Sequence, residues 1–212
     1  MTIGAFSIYE CGKRGEEQII TNSKSIIANT KACRLSFFEK YLNETMDVSI
    51  RDSLSKLIPP NATLIPLPKS APLVTNAQWP GRDICEILIA NGFGKNYKPL
   101  LKRTKAVPKA AFQHGSEDRP TVQTHYDSIV FEDEPLFTRS IETIVLVDDV
   151  ITQGRMSAAC SLRVMEALPN VTAGLFGLIR TNTFTNIENV INPKHSNVLY
   201  FPDSGKTFHK IL

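Results

Sequence analysis

The chain has 212 residues, 42% of them hydrophobic and 21% charged, with a formal net charge of +3; this is the make-up of an ordinary globular protein with one substantial α/β domain and room for a small appendage. No apolar run approaches the roughly 20 residues of a membrane span, and Met1-Thr2-Ile3-Gly4 lacks the basic start and apolar core of a signal peptide. The charge is too small to imply nucleic acid by itself, and Cys11, Cys33, Cys85 and Cys160 are scattered without a CxxC pair, which argues against a zinc site or a disulfide framework. A cytoplasmic location away from membranes is expected.

Residues 1–60 are expected to form an appendage or hood packed on a core at 61–180, with 181–212 as a C-terminal extension. Phe6 to Tyr9 and Gln18 to Thr21 read as two strands around the turn-like Cys11-Gly12-Lys13-Arg14-Gly15. Ser23 to Leu42 is helical in pieces. Asp47 is placed to cap a helix from Val48 to Leu57, which Pro59-Pro60 stops. Leu64 to Leu67 is a short strand, Lys69 to Pro80 a proline-rich loop, and Arg82 to Asn91 a helix ended by Gly92. Residues 94–125 read as a long, polar, basic connection, and loops of that length are usually functional or disordered. Ile129 to Phe131, Ile144 to Val147 and Thr172 to Ile179 are strands, with a helix from Ser157 to Leu168 between the last two. After Arg180 the pattern is ambiguous; Tyr200-Phe201-Pro202-Asp203 fits a peripheral strand better than a direct ligand contact. Cys85 and Cys160 sit in apolar helical patterns as small core residues.

The segment Ile144-Val145-Leu146-Val147-Asp148-Asp149-Val150-Ile151-Thr152-Gln153-Gly154-Arg155 carries the chemistry. A continuous β-branched and aliphatic run is the mark of a central parallel strand covered on both faces. Ligands of open α/β sheets bind at the carboxyl ends of such strands, where Asp148 and Asp149 are expected to face solvent. Thr152 to Met156 then offer backbone N–H groups at a helix start, a ready phosphate site. Carboxylates beside an anion nest ask for one ligand with hydroxyls at one end and phosphate at the other, as in a ribose 5-phosphate. Upstream, Lys95, Lys98, Lys102, Arg103, Lys105 and Lys109 fall in one stretch without an acid. That stretch reads either as a solvated face or as a cationic flap closing on a polyphosphate; only Phe93 and Tyr97 interleave it, so a nucleic-acid surface is weakly supported.

The run Val145 to Gly154 resembles the phosphoribosyl pyrophosphate (PRPP) motif of type I phosphoribosyltransferases, and most resembles their ComF-like branch. Thr63-Leu64-Ile65-Pro66-Leu67-Pro68-Lys69-Ser70 is similar to the strand and pyrophosphate loop of that branch, and Leu100-Leu101-Lys102-Arg103-Thr104 with Arg119 to its flexible basic loop. The resemblance spans roughly residues 60–180. It implies an α/β fold with a central, mostly parallel sheet flanked by helices, and transfer of a phosphoribosyl group to a nucleophile with release of pyrophosphate. It implies that Asp148 and Asp149 grip the ribose, and that Thr152, Gln153, Gly154, Arg155, Met156 and Ser157 hold the 5-phosphate. Lys69 and Ser70 would face the pyrophosphate, with Lys102, Arg103 and Lys105 arriving from the flap. Mg2+ would be carried by the substrate rather than held by a protein metal site. Two positions depart from the pattern: Met156 stands where a Thr or Ser is usual, leaving Ser157 to supply that hydroxyl, and Arg155 replaces a small residue. The zinc ribbon frequent in the ComF branch has no counterpart here. Two other readings stay open beside the transferase, a non-catalytic sensor of PRPP or a nucleotide and a ComF-like accessory protein of DNA uptake or defence. A second copy of the chain or a partner protein is compatible with all three.

Overall fold

The computed structural model describes residues 1–108, 119–132, 142–182 and 185–212. Its centre is a seven-stranded sheet. In chain order the strands are β1 (Thr2–Gly12), β2 (Thr63–Pro66), β3 (Asn96–Tyr97), β6 (Thr143–Ile151), β7 (Thr172–Asn182), β8 (Ile191–Phe201) and β9 (Lys206–Ile211), arranged β3-β2-β6-β7-β1-β8-β9. β3, β2, β6, β7 and β1 run parallel, whereas β8 and β9 are antiparallel additions. β4 (Leu101–Arg103) and β5 (Ile129–Phe131) form a separate antiparallel pair. The helices are α1 (Glu17–Lys31), α2 (Ser36–Lys40) running into a π-turn at Tyr41–Thr45, α3 (Val48–Leu57), α4 (Pro80–Ala90), α5 (Val122–Tyr126) and α6 (Arg155–Ala167). The chain is therefore α/β, with a mostly parallel sheet flanked by helices. No helix among the described residues is long and apolar enough to cross a membrane.

Strand alternation divides the core into two faces. Val145, Val147, Phe176, Leu178, Phe6 and Ile8 bury against α2, α3 and α4 through Phe38, Leu54, Ile84 and Leu88. On the other face Ile144, Leu146, Leu175, Ala5 and Val198 pack with Cys160 and Val164 of α6. Ile144 to Val147 are fully buried because helices cover both sides; each such side chain contributes about 1.5–3 kcal/mol by leaving water. The buried stripe of α6 is built from small residues, Ser157, Ala158, Ala159, Cys160 and Ser161, which seat the helix close to the sheet. Asp47 caps α3 by accepting from the Ser49 N–H at 2.7 Å, as its position in the sequence suggests. All four cysteines are free; Cys11, Cys85 and Cys160 are buried.

Several sequence expectations change. Residues 18–21 belong to α1 rather than to a strand, and β1 runs from Thr2 to Gly12. Segment 1–60 supplies an interior strand to the same sheet as 61–180, because β1 lies between β7 and β8, while 181–212 supplies β8 and β9. The expected connection at 94–125 holds β3, β4 and α5. Its first half is pinned by backbone bonds, Lys95 N–H to the Ala62 carbonyl and Lys98 N–H to the Leu64 carbonyl, each 2.8 Å. Lys109 lies outside the described residues. Phe201 and Phe208 pack edge-on at 5.8 Å across the β8–β9 hairpin, half exposed.

Candidate functional site

β2 and β7 leave β6 at different points. β2 pairs with β6 only as far as Pro66 opposite Val147, with one further rung from the Leu67 N–H to the Val147 carbonyl at 2.9 Å. β7 stays with β6 to Ile151 opposite Arg180. Beyond Val147, β6 therefore has a strand on one side and a departing loop on the other, and Asp148 and Asp149 sit where this crevice opens. They are half-buried inside the strand rather than free in solvent beyond it. Alternation sends them to opposite faces. Asp149 turns to α1, where its Oδ2 meets the Lys31 Nζ at 2.6 Å. Asp148 turns to α6, near the buried Cys160 thiol, whose pKa is raised first by burial and also by the Asp148 charge.

The two acids differ electrostatically. Burial, and then the neighbouring Asp149 charge, push the Asp148 carboxyl up from 3.8 to about 7; the Lys31 ammonium and the Asp149 N–H oppose the rise. That N–H donates to Asp148 Oδ1 at 2.9 Å. Near neutral pH the charge on Asp148 is thus easily gained or lost.

The turn after β6 is fixed by Gly154. Its φ of +73° is left-handed, and a Cβ there would lie 2.6 Å from Val198 Cγ1 in β8, so the position needs glycine on both counts. Thr152 is exposed, and α6 begins at Arg155. First-turn N–H groups of a helix have no intrahelical acceptor, so this end of α6 is electropositive. Two polar atoms at the turn, Gln153 Oε1 and Ser157 Oγ, are buried without a hydrogen-bond partner. Beneath it, His209 of β9 lies 2.8 Å from Ser196 Oγ and faces the Thr152 backbone; its pKa is lowered by burial and by the charge of Arg180.

Of the cations suggested by the sequence, Arg103, Lys102 and Arg155 are tied into the fold. Arg103 is 5% exposed. It donates to the Lys69 carbonyl at 2.9 Å, to Ser128 Oγ at 2.5 Å and to Met156 Sδ at 2.9 Å, and its Nη2 lies 3.4 Å from His125 Nδ1. It is a buried tie between the loop after β2, the β4–β5 pair and the start of α6, not a flap cation. Met156 thus serves as a soft acceptor for Arg103. Lys102, also on β4, is paired with Glu132. Arg155 donates to the carbonyls of Arg119 at 3.0 Å and Pro120 at 3.3 Å, holding the returning end of the basic loop. Lys69 is exposed, with its Nζ on the Gln78 carbonyl at 2.7 Å. The Ser70 carbonyl accepts from the Val107 N–H at 2.7 Å, and Lys105 is exposed on the loop between.

Sequence reasoning missed Lys31, which lies 118 positions from its partner Asp149 and carries no local signal. It also missed a buried ion pair at the carboxyl ends of β7 and β1, Arg180 Nη2 to Glu10 Oε2 at 3.2 Å. Glu10 accepts there from Asn182 at 2.9 Å and Asn192 at 2.6 Å. Surface hollows lie elsewhere, one against Gly15, Ile19 and Ile187 and one against Cys33, Asp83 and Ile87. The crevice at Asp148 differs from those hollows in joining strand-end acids to a helix N-terminus. No protein-family model matches the chain, and no curated protein matches its sequence.

Proposed function

We propose that this is a phosphoribosyltransferase of the type I fold that binds PRPP and moves its phosphoribosyl group to a nucleophile, releasing pyrophosphate. One observation carries the reading: two adjacent carboxylates stand where β6 loses β2, and five residues after Asp149 a left-handed Gly154 opens onto the N-terminus of the 13-residue helix α6. Carboxylates accept sugar hydroxyls, and a backbone nest on a helix N-terminus takes a phosphate. The spacing suits a single ribose 5-phosphate. The unpartnered Ser157 Oγ leaves a hydroxyl donor unsatisfied at this turn.

The reaction puts negative charge on departing pyrophosphate and positive charge on the anomeric carbon. Asp149, and Asp148 when ionised, hold the ribose hydroxyls and face the electron-poor sugar. Exposed Lys69 and the N–H groups of the loop after β2 lie on the pyrophosphate side. Magnesium would arrive with PRPP beside Asp148 and Asp149 and would supply charge neutralisation at the leaving group.

A non-catalytic PRPP sensor is the second reading, favoured by the commitment of Arg103 and Lys102 to the fold. The test is magnesium-dependent release of pyrophosphate from PRPP across a panel of bases and amines. A transferase releases it only with an acceptor. Saturable PRPP binding without release for any acceptor selects the sensor, and absence of both binding and release refutes the phosphoribosyl reading.

A further inference from the structure

Lys31 is the last residue of α1, a helix that leaves β1 and ends against β6. The carbonyl end of a helix favours a cation, and Lys31 uses that place to reach the acid pair. Its Nζ is 2.6 Å from Asp149 Oδ2, yet its side chain remains 55% exposed. The ammonium thus sits at the mouth of the crevice with one carboxylate oxygen on one side and water on the other.

The neighbouring contacts show what else converges there. The Ala32 carbonyl accepts from Gln78 Nε2 at 3.5 Å, and the Gln78 carbonyl accepts from Lys69 Nζ at 2.7 Å. The end of α1 is therefore hooked to the far end of the loop that follows β2, and Lys31 and Lys69 bring two ammonium groups to one rim. Two cations of the basic segment do not compete for this place, since Arg103 is buried and Lys102 is paired with Glu132; Lys105 is exposed on the loop beside Ser70.

A ribose hydroxyl can reach Asp149 Oδ2 only by sharing or displacing Lys31. Resting on the phosphoribosyl reading above, we propose that Lys31 is a pyrophosphate-binding residue that passes from Asp149 to the ligand's pyrophosphate as the ribose hydroxyls take Asp149. A ligand with both ribose and pyrophosphate replaces the broken ion pair with a new one. Ribose 5-phosphate breaks the pair and returns nothing. Lys31 is in this way a selectivity element for the pyrophosphorylated sugar, supplied by the N-terminal helix.

The test is calorimetric affinity for PRPP and for ribose 5-phosphate, each with magnesium, in the unmodified protein, Lys31→Met and Lys31→Arg. Lys31 is exposed, so thermal melts of the variants should match and exclude misfolding. Lys31→Met is expected to lose about tenfold or more in PRPP affinity, the size of one charge-assisted contact, while ribose 5-phosphate binds as well or better. Lys31→Arg should keep most of the PRPP affinity. Equal weakening of both ligands would mean that Lys31 only positions Asp149, and unchanged PRPP affinity would mean that it touches nothing; either overturns the inference while the phosphoribosyl reading stands. Failure of the unmodified protein to bind either ligand overturns both.

Discussion

Replacing Asp148 with Asn should make the protein more stable, and the gain should depend on pH in a defined way. Burial and the adjacent Asp149 raise the carboxyl from 3.8 to about 7, so the folded state holds a proton that the unfolded chain releases. Stability contributed by the neutral acid is complete below the unfolded value of about 4 and is lost as pH climbs through 7. At pH 8 the ionised carboxylate disfavours the fold by up to about 4 kcal/mol, taking about 1.4 kcal/mol for each pH unit. Because the side chain is only half-buried, about 2–4 kcal/mol is the expected gain. Asn has nearly the same volume, and its amide oxygen can still accept the Asp149 N–H that now donates at 2.9 Å. Urea unfolding of both proteins between pH 4 and 8.5 measures this. The difference should be near zero at pH 4, grow through pH 5 to 7 and level off above. A variant less stable at pH 8, or a gap that does not vary with pH, would refute the assignment of Asp148 as a carboxyl held in an unfavourable place.

Three further outcomes follow from the packing around the crevice. Arg103→Met should destabilise by about 2–4 kcal/mol in thermal or urea unfolding, because a buried guanidinium tying three segments is lost; Arg103→Lys should recover little, since an ammonium cannot reproduce the fork. Gly154→Ala should cost about 1–3 kcal/mol from its positive φ and from the contact with Val198; in a Val198→Ala background the steric part should vanish and about 1 kcal/mol should remain. Arg180→Met strands Glu10 in a site where it is 4% exposed, and should cost about 3–5 kcal/mol in urea unfolding.

The middle of the chain was readable because its signals are local. Ile144 to Val147 form an unbroken apolar strand, Asp47 stands one residue before an amphipathic helix, and Gly92 follows α4 with a φ of +85°. Other parts were hidden by non-local pairing. In α1 the stripe facing the core passes through Ser23 and Thr30, both buried polar residues, so its helical period is weak and Ile19-Ile20-Thr21 reads as strand. Packing against β1 settles the matter. The basic segment reads as one flap because charge is its only local pattern, whereas β4 finds its partner at Ile129–Phe131 across a long separation. That pairing buries Arg103 and leaves Lys102 outside. That the acids follow the buried run of β6 was legible, but their half-burial within the strand, their division between two faces and the capture of Asp149 by Lys31 depend on contacts far apart in sequence.

Binding of magnesium PRPP to the unmodified protein and to an Asp148→Asn, Asp149→Asn double variant, measured by titration calorimetry at pH 7.5, tests the ribose-clamp claim most directly. The unmodified protein should show saturable binding at one site, and the folded double variant should lose on the order of 3–6 kcal/mol, two charged hydrogen-bond acceptors' worth, which removes measurable binding. Equal affinity in the two folded proteins, or no binding to the unmodified one, would contradict the assignment of this crevice.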